Sequence, residues 1–187
     1  MNFDTKYLIR WGIPGWILIM ILGPFIYFNY ETEIITLSKN INVLALGAFL
    51  TIIGVPLGYL LNQLHHSVTW VVIKRKKEWD EYFDDEFLLD EYFHQSDKTL
   101  RSKERYRYLL SRKHELGGVT ASLFVTNLFI LMAKFFLNVT SVWSSIYFLF
   151  TLVLLILIWI SRNYSSRNIE VYYNKYLKKA KQDQQKN

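Results

Sequence analysis

The sequence predicts an all-α integral membrane protein with four transmembrane helices and a cytosolic helical hairpin between the second and third. Residues 41–63 form an uncharged run, INVLALGAFLTIIGVPLGYLLNQ. A helix of about 20 apolar residues is long enough to cross the ~30 Å hydrocarbon layer. Three further apolar runs occur at 11–28, 117–137 and 142–160. Charged residues are concentrated between and beyond these runs, and that segregation is typical of a multi-pass membrane protein.

Composition limits the chemistry that this chain of 187 residues can perform. It contains no cysteine, which excludes a disulfide framework, a thiolate metal site and a cysteine nucleophile. Its four histidines are scattered along the sequence, and we predict no zinc site. Phosphate-binding loops, dinucleotide-binding glycine motifs and hydrolase or metalloprotease motifs are also missing. We therefore expect a protein that is not an enzyme and has no catalytic residue, metal or cofactor.

The first apolar run follows a short polar start at residues 1–10. A cleaved signal peptide begins similarly, but this run is long and lacks a small-residue cleavage site. We interpret it as a retained span, kinked or irregular near Pro14 and Pro24. Together with the second span it forms a predicted first transmembrane hairpin over 11–64.

Small residues at helical spacing mark the second and third spans. Such faces let two helices approach closely, either within one subunit or between the subunits of a homo-oligomer. The predicted packing residues are Gly47, Gly54, Gly58, Gly117 and Ala121.

Two polar side chains in the spans suggest an alternative function. Gln63 lies where the second span ends, and Asn127 lies within the third. They could line a polar path in a small oligomeric channel or transporter, whereas interhelical hydrogen bonding is the commoner role of a deep asparagine.

Residues 65–116 form the predicted cytosolic hairpin. Segment 78–91 carries eight acids and no base, and 98–113 is strongly basic. We expect two amphipathic helices paired by charge. The acidic helix would dock its aromatic side on a partner. On this helix, Trp79, Phe83 and Phe87 would share a face, as would Leu89 and Phe93.

The basic half of this hairpin is a candidate contact surface for a partner or for RNA. Its predicted contact residues are Arg101, Lys103, Arg105, Arg107, Arg112 and Lys113. Arg107 and His114 also fit the loose R-x(4–6)-H pattern of HEPN-type ribonucleases. A hairpin of this size is too small to hold that helical bundle by itself, so a membrane-tethered ribonuclease is the third alternative.

The chain ends with a second transmembrane hairpin over 117–161 and a basic tail over 162–187. The tail is rich in tyrosine, lysine and glutamine, and we expect it to lack a core and to end in disorder. With four spans, both termini and the 65–116 segment share one side, which holds 20 of the 22 lysines and arginines. The positive-inside rule places that side in the cytosol.

The charged segment ends in ERYRYLLSRKHELGG, within a four-span chain rich in isoleucine, lysine, asparagine, tyrosine and phenylalanine. This layout resembles the small multi-span accessory proteins of type VI CRISPR loci in bacterial defence. The resemblance implies a non-enzymatic inner-membrane protein that regulates an RNA-guided, RNA-cutting nuclease. Partners would then be the bilayer, further copies of the chain, and that nuclease or its RNA.

Overall fold

The computed structural model describes residues 5–39, 41–72, 79–95 and 97–185, all helical or in short connections. Six α-helices follow one another, with a π-helical segment, Ser67–Val72, continuing the third. The helices are α1 (Thr5–Asn29), α2 (Glu31–Ser38), α3 (Val43–His66), α4 (Trp79–His94), α5 (Asp97–Phe136) and α6 (Val142–Gln184). Four of them, α1, α3, α5 and α6, are long and apolar enough to cross a membrane, as predicted.

Helices α1 and α3 pack backbone against backbone. A Cβ added at Gly15 would overlap the carbonyl oxygen of Gly54, and one at Gly58 would overlap that of Trp11. Only glycines permit this approach, so the predicted packing face of α3 serves a contact inside the subunit. Gly47 differs, because nothing lies within 4 Å of the position of its Cβ.

Helix α5 lies against this pair through its own small residues. Ser122 Oγ donates a hydrogen bond of 2.7 Å to the carbonyl oxygen of Pro14, while Gly118 leaves room for Asn62. Ala121 is buried, in keeping with its predicted packing role. The carbonyl oxygen of Pro14 thus accepts a hydrogen bond from a neighbouring helix. Helix α1 itself continues in helical conformation through Pro14 and Pro24.

Helix α6 pairs with α5 along its length. Thr151 Oγ1 donates to Asn127 Oδ1 over 3.1 Å, and Tyr147 reaches across to α1 by donating to the carbonyl oxygen of Ile21 over 2.7 Å. The turn between α5 and α6 contains Asn138 at φ 52°, a left-handed conformation that asparagine tolerates.

The predicted disorder at the end of the tail is wrong, since α6 continues without interruption to Gln184. Ile169, Leu177 and Ala180 recur on one helical face and are buried. They pack where α6 meets α4 and α5. The lysine- and glutamine-rich composition concealed this narrow apolar stripe.

The charged segment does form helices, but α4 and the polar half of α5 are joined by the end of α6. We call this three-helix assembly the polar bundle. On α4, Leu89 and Phe93 are buried as one face, whereas Phe87 is 75% exposed and Phe83 is 46% exposed. Of the two predicted apolar groups on α4, Leu89 with Phe93 is therefore packed, and Phe83 with Phe87 remains exposed. The side chain of Trp79 lies outside the described residues.

Candidate functional site

Aromatic rings hold the three helices of the polar bundle together. The ring of Phe93 on α4 lies 5.9 Å from that of Tyr106 on α5 and 5.5 Å from that of Tyr176 on α6. Tyr82 donates a 3.0 Å hydrogen bond to Glu86, and its pKa is raised by burial and by the Glu86 charge. The bundle therefore has a core of its own, built on tyrosines of α5 and α6 that the sequence presents among basic residues.

Ion pairs reinforce this core at two places. Lys103 Nζ lies 2.8 Å from Asp90 Oδ1 and 2.8 Å from His94 Nε2. The hydrogen bond from Lys103 holds the pKa of Asp90 below its usual range. Lys181, near the end of α6, pairs over 2.6 Å with the buried Asp85. The predicted charge pairing of α4 with α5 is thus present, and α6 contributes a second pair.

The six predicted basic contact residues do not share one role. Lys103 is 9% exposed, and its ammonium group pairs with Asp90 on α4. Arg107 lines a cavity of about 340 Å³ between α4 and α5, beside Phe83 and Phe87. Lys113 is only partly exposed and lies four residues before Gly117, where the apolar part of α5 begins. Arg101, Arg105 and Arg112 are exposed, and their spacing of four and seven residues puts them on one side of α5.

This exposed side continues onto α6. Arg105 lies over the ring of Tyr172 at 5.8 Å, and Lys179 lies over the ring of Tyr176 at 5.2 Å. Tyr172 also donates to the carbonyl oxygen of Ser102 over 3.1 Å, which fixes the two helices at this point. We call the combined surface the Arg/Tyr face. Its residues are Arg101, Arg105, Tyr108, Arg112, Tyr172, Lys175 and Lys179.

A second group of basic side chains gathers at one end of the apolar parts of α3, α5 and α6. His65 is buried against Gly117, and the ring of His66 stacks on that of His114 with centroids 6.1 Å apart. Arg162 follows the last apolar residues of the fourth span and is 9% exposed. We call this group the membrane-edge cluster; it consists of His65, His66, Lys113, His114 and Arg162.

Sequence reasoning did not predict that the members of the membrane-edge cluster, which come from α3, α5 and α6, lie together. Histidines that are 48 residues apart in the chain, such as His66 and His114, stack because α3 and α5 reach the same level. Among the described residues, no group of three or more histidine and acidic side chains is arranged to hold a metal ion. The available signal was the position of these histidines next to apolar runs, with His65 and His66 just after the second run and His114 just before the third.

The two residues of the predicted polar path occupy different environments. Gln63 is exposed on α3. Asn127 is 6% exposed, and its Nδ2 donates to the carbonyl oxygen of Leu123 while its Oδ1 accepts from Thr151. Its amide is therefore engaged in helix packing. Arg107 and His114 likewise lie about 10 Å apart along α5, and each contacts a different neighbour.

Comparisons with protein-family models, curated proteins and solved structures give no match. Interpretation of the Arg/Tyr face and of the membrane-edge cluster therefore rests on the geometry of this chain.

Proposed function

We infer that this chain is a non-enzymatic multi-pass membrane regulator that binds RNA on its polar bundle and passes the binding event to its spans. The observation that carries this proposal is the continuity of α5 and α6. These helices have 40 and 43 residues, and each runs from an apolar span into the polar bundle without a break. A ligand held by the bundle therefore contacts the same helices that pack in the membrane.

The Arg/Tyr face supports RNA as the ligand. It combines exposed guanidinium and ammonium groups, which neutralise phosphates, with tyrosine rings such as Tyr108, which is 60% exposed. Stacking of bases on aromatic rings and contact of cations with the backbone are the usual means of binding single-stranded nucleic acid. The acids of α4 do not cancel this charge, since α4 packs on the opposite flank of α5 through Lys103 and Tyr106.

The biological setting follows from the charge distribution and from the resemblance described above. Lysine and arginine are concentrated on the side of the polar bundle, which favours a cytosolic bundle and cytosolic termini. The resemblance favours a bacterial inner membrane as the location of the spans. There the Arg/Tyr face would meet RNA held by an RNA-targeting defence nuclease. Regulation of that nuclease at the membrane is the role that we propose, with association between copies as a means of transmission.

The direct test measures binding of a fluorescein-labelled 20-nucleotide single-stranded RNA to the full chain in lipid nanodiscs. The double variant Arg101→Gln/Arg112→Gln removes two positive charges from the Arg/Tyr face. The control Lys39→Glu changes the net charge equally but alters an exposed residue just after α2, at the opposite end of the apolar helices from the polar bundle. Anisotropy titrations at several salt concentrations give both the affinity and its salt dependence.

We expect the double variant to bind about tenfold more weakly and to lower the slope of log K against log salt by about 1.4, because each phosphate contact contributes about 0.7. The control should bind like the unmodified chain. Failure of the unmodified chain to bind RNA, or equal losses in the two variants, would show that the Arg/Tyr face is not an RNA site.

A further inference from the structure

We propose that the membrane-edge cluster binds a phosphate group, and that its location favours the phosphodiester of an anionic phospholipid as the source. The proposal concerns Arg162 together with His114 and His66. It does not depend on the Arg/Tyr face or on RNA binding.

The first argument is the state of Arg162. Its side chain is more than nine-tenths buried, yet its Nε has no hydrogen-bond partner among the described residues. Its Nη1 donates only a long hydrogen bond of 3.4 Å to the adjacent Asn163. A buried guanidinium is costly unless an anion pairs with it. The five donors of arginine match a phosphate in a bidentate arrangement.

The second argument is the charge around Arg162. Arg162, His114, His66 and Lys113, all of them basic, lie close enough to His65 to act on it electrostatically. Glu115, the acid next to His114 in the sequence, is exposed and accepts a hydrogen bond from Ser111 over 2.8 Å. The protein therefore concentrates positive potential at one point and leaves the compensating anion to an external group.

The third argument is the level of the cluster along the helices. From Gly117 to Phe136, α5 extends about 30 Å, and from Val142 to Ile160, α6 extends about 28 Å. Both segments match the thickness of the hydrocarbon layer. His114 and Arg162 thus lie just past the same edge of that layer, at the depth of lipid phosphates.

A space is present for the headgroup. A cavity of about 360 Å³ opens beside Arg162 and is lined by the donors Asn163, Ser166 and Arg167. Glu170 also lines it, but this acid lies eight residues beyond Arg162, about 12 Å along α6. The end of the cavity next to Arg162 is therefore the basic one.

The test follows thermal unfolding of the full chain in a neutral detergent with three added ligands. Dioctanoyl phosphatidylglycerol carries the phosphate, dioctanoylglycerol has the same acyl chains without it, and inorganic phosphate represents the free anion. A ligand that binds the folded state raises the unfolding midpoint in a concentration-dependent manner. Arg162→Gln is the test variant. Lys178→Gln is the control, since Lys178 is exposed about 24 Å further along α6.

We expect phosphatidylglycerol to stabilise the unmodified chain and dioctanoylglycerol to have no effect. The apparent affinity should fall about tenfold in Arg162→Gln, because a charge-assisted pair is lost, and should be unchanged in Lys178→Gln. Equal stabilisation by inorganic phosphate, again dependent on Arg162, would support the phosphate site and assign its ligand to solution.

Three outcomes would overturn the proposal: stabilisation by neither phosphate ligand, equal stabilisation by dioctanoylglycerol, or equal affinity of the unmodified chain and Arg162→Gln. If Arg162→Gln does not fold, His114→Gln provides the same comparison, with an expected severalfold loss of affinity. An affinity unchanged in His114→Gln would then refute the site.

Discussion

The imidazole of His65 on α3 lies directly against the backbone of Gly117 on α5, so closely that a Cβ at residue 117 would overlap the ring. This contact brings the end of the second apolar helix to the beginning of the third. It also explains why the histidines at these helix ends form a cluster. The tight glycine contacts of this protein are therefore part of how its charged groups are assembled.

The glycines of α3 should differ sharply in their tolerance of alanine. Gly54→Ala and Gly58→Ala should each destabilise the folded protein by about 1–3 kcal/mol, because the added methyl group would overlap Trp16 or the backbone of α1. Gly47→Ala is the matched control, since its Cβ would enter open space and alanine favours helix. Thermal unfolding in detergent measures the difference. Similar losses at all three positions would contradict the close α1–α3 contact.

Asn127 should stabilise the protein through its bond to Thr151. In a double-mutant cycle with Asn127→Leu and Thr151→Val, we expect a coupling free energy of about 0.6 kcal/mol, the average for interhelical hydrogen bonds in a membrane protein. The cycle is read from unfolding of the four variants. If Asn127→Leu instead lowers ion flux across vesicles and retains stability, Asn127 lines a conduction path and does not serve mainly in helix packing.

The Asp90–Lys103 pair should make the stability of the polar bundle depend on pH. The pKa of Asp90 is lower when folded, so its contribution is present above the unfolded value of about 3.9 and is lost as the pH falls through the folded value. The difference in stability between the unmodified chain and Asp90→Asn should be greatest near neutral pH. It should stay below about 1 kcal/mol, because the side chain of Asp90 is 61% exposed.

Hydrogen exchange of α4 amides at pH 7 and at about pH 3 tests this expectation. Exchange in the unmodified chain should approach that of Asp90→Asn only at the lower pH. In a Lys103→Met background, Asp90→Asn should no longer change the exchange of α4 amides at pH 7, because the carboxylate of Asp90 has lost its partner. If α4 amides exchange at the same rate in the unmodified chain and in Asp90→Asn at both pH values, the Asp90–Lys103 pair does not stabilise the polar bundle.

The end of α6 should be required for the order of α4. Leu177→Ala removes buried apolar side chain from the bundle and should cost about 2–5 kcal/mol of local stability. Val171→Ala removes a side chain that is 62% exposed and should cost little. Exchange rates of α4 amides distinguish the two variants. Unchanged protection of α4 in Leu177→Ala would mean that the end of α6 does not support α4.

Residue types and their spacing were sufficient to predict the four apolar helices and the charged helices between them. Length and apolarity define a span by themselves, because each helix satisfies its own backbone hydrogen bonds. The packing roles of Gly54, Gly58, Gly117 and Ala121 could also be predicted, since only small residues permit close helix contact. What spacing could not show was which helix each glycine would meet.

Only the tertiary structure decided how the charges are divided. Lys103 and Arg101 look alike in the sequence, yet one is buried against Asp90 and the other is exposed on the Arg/Tyr face. The convergence of Arg162 with His114 likewise depends on helices that are distant in the chain reaching the same level. A local pattern determines which face of a helix is apolar. The partner of a polar side chain depends on packing between elements, and this decides which charges remain for a ligand.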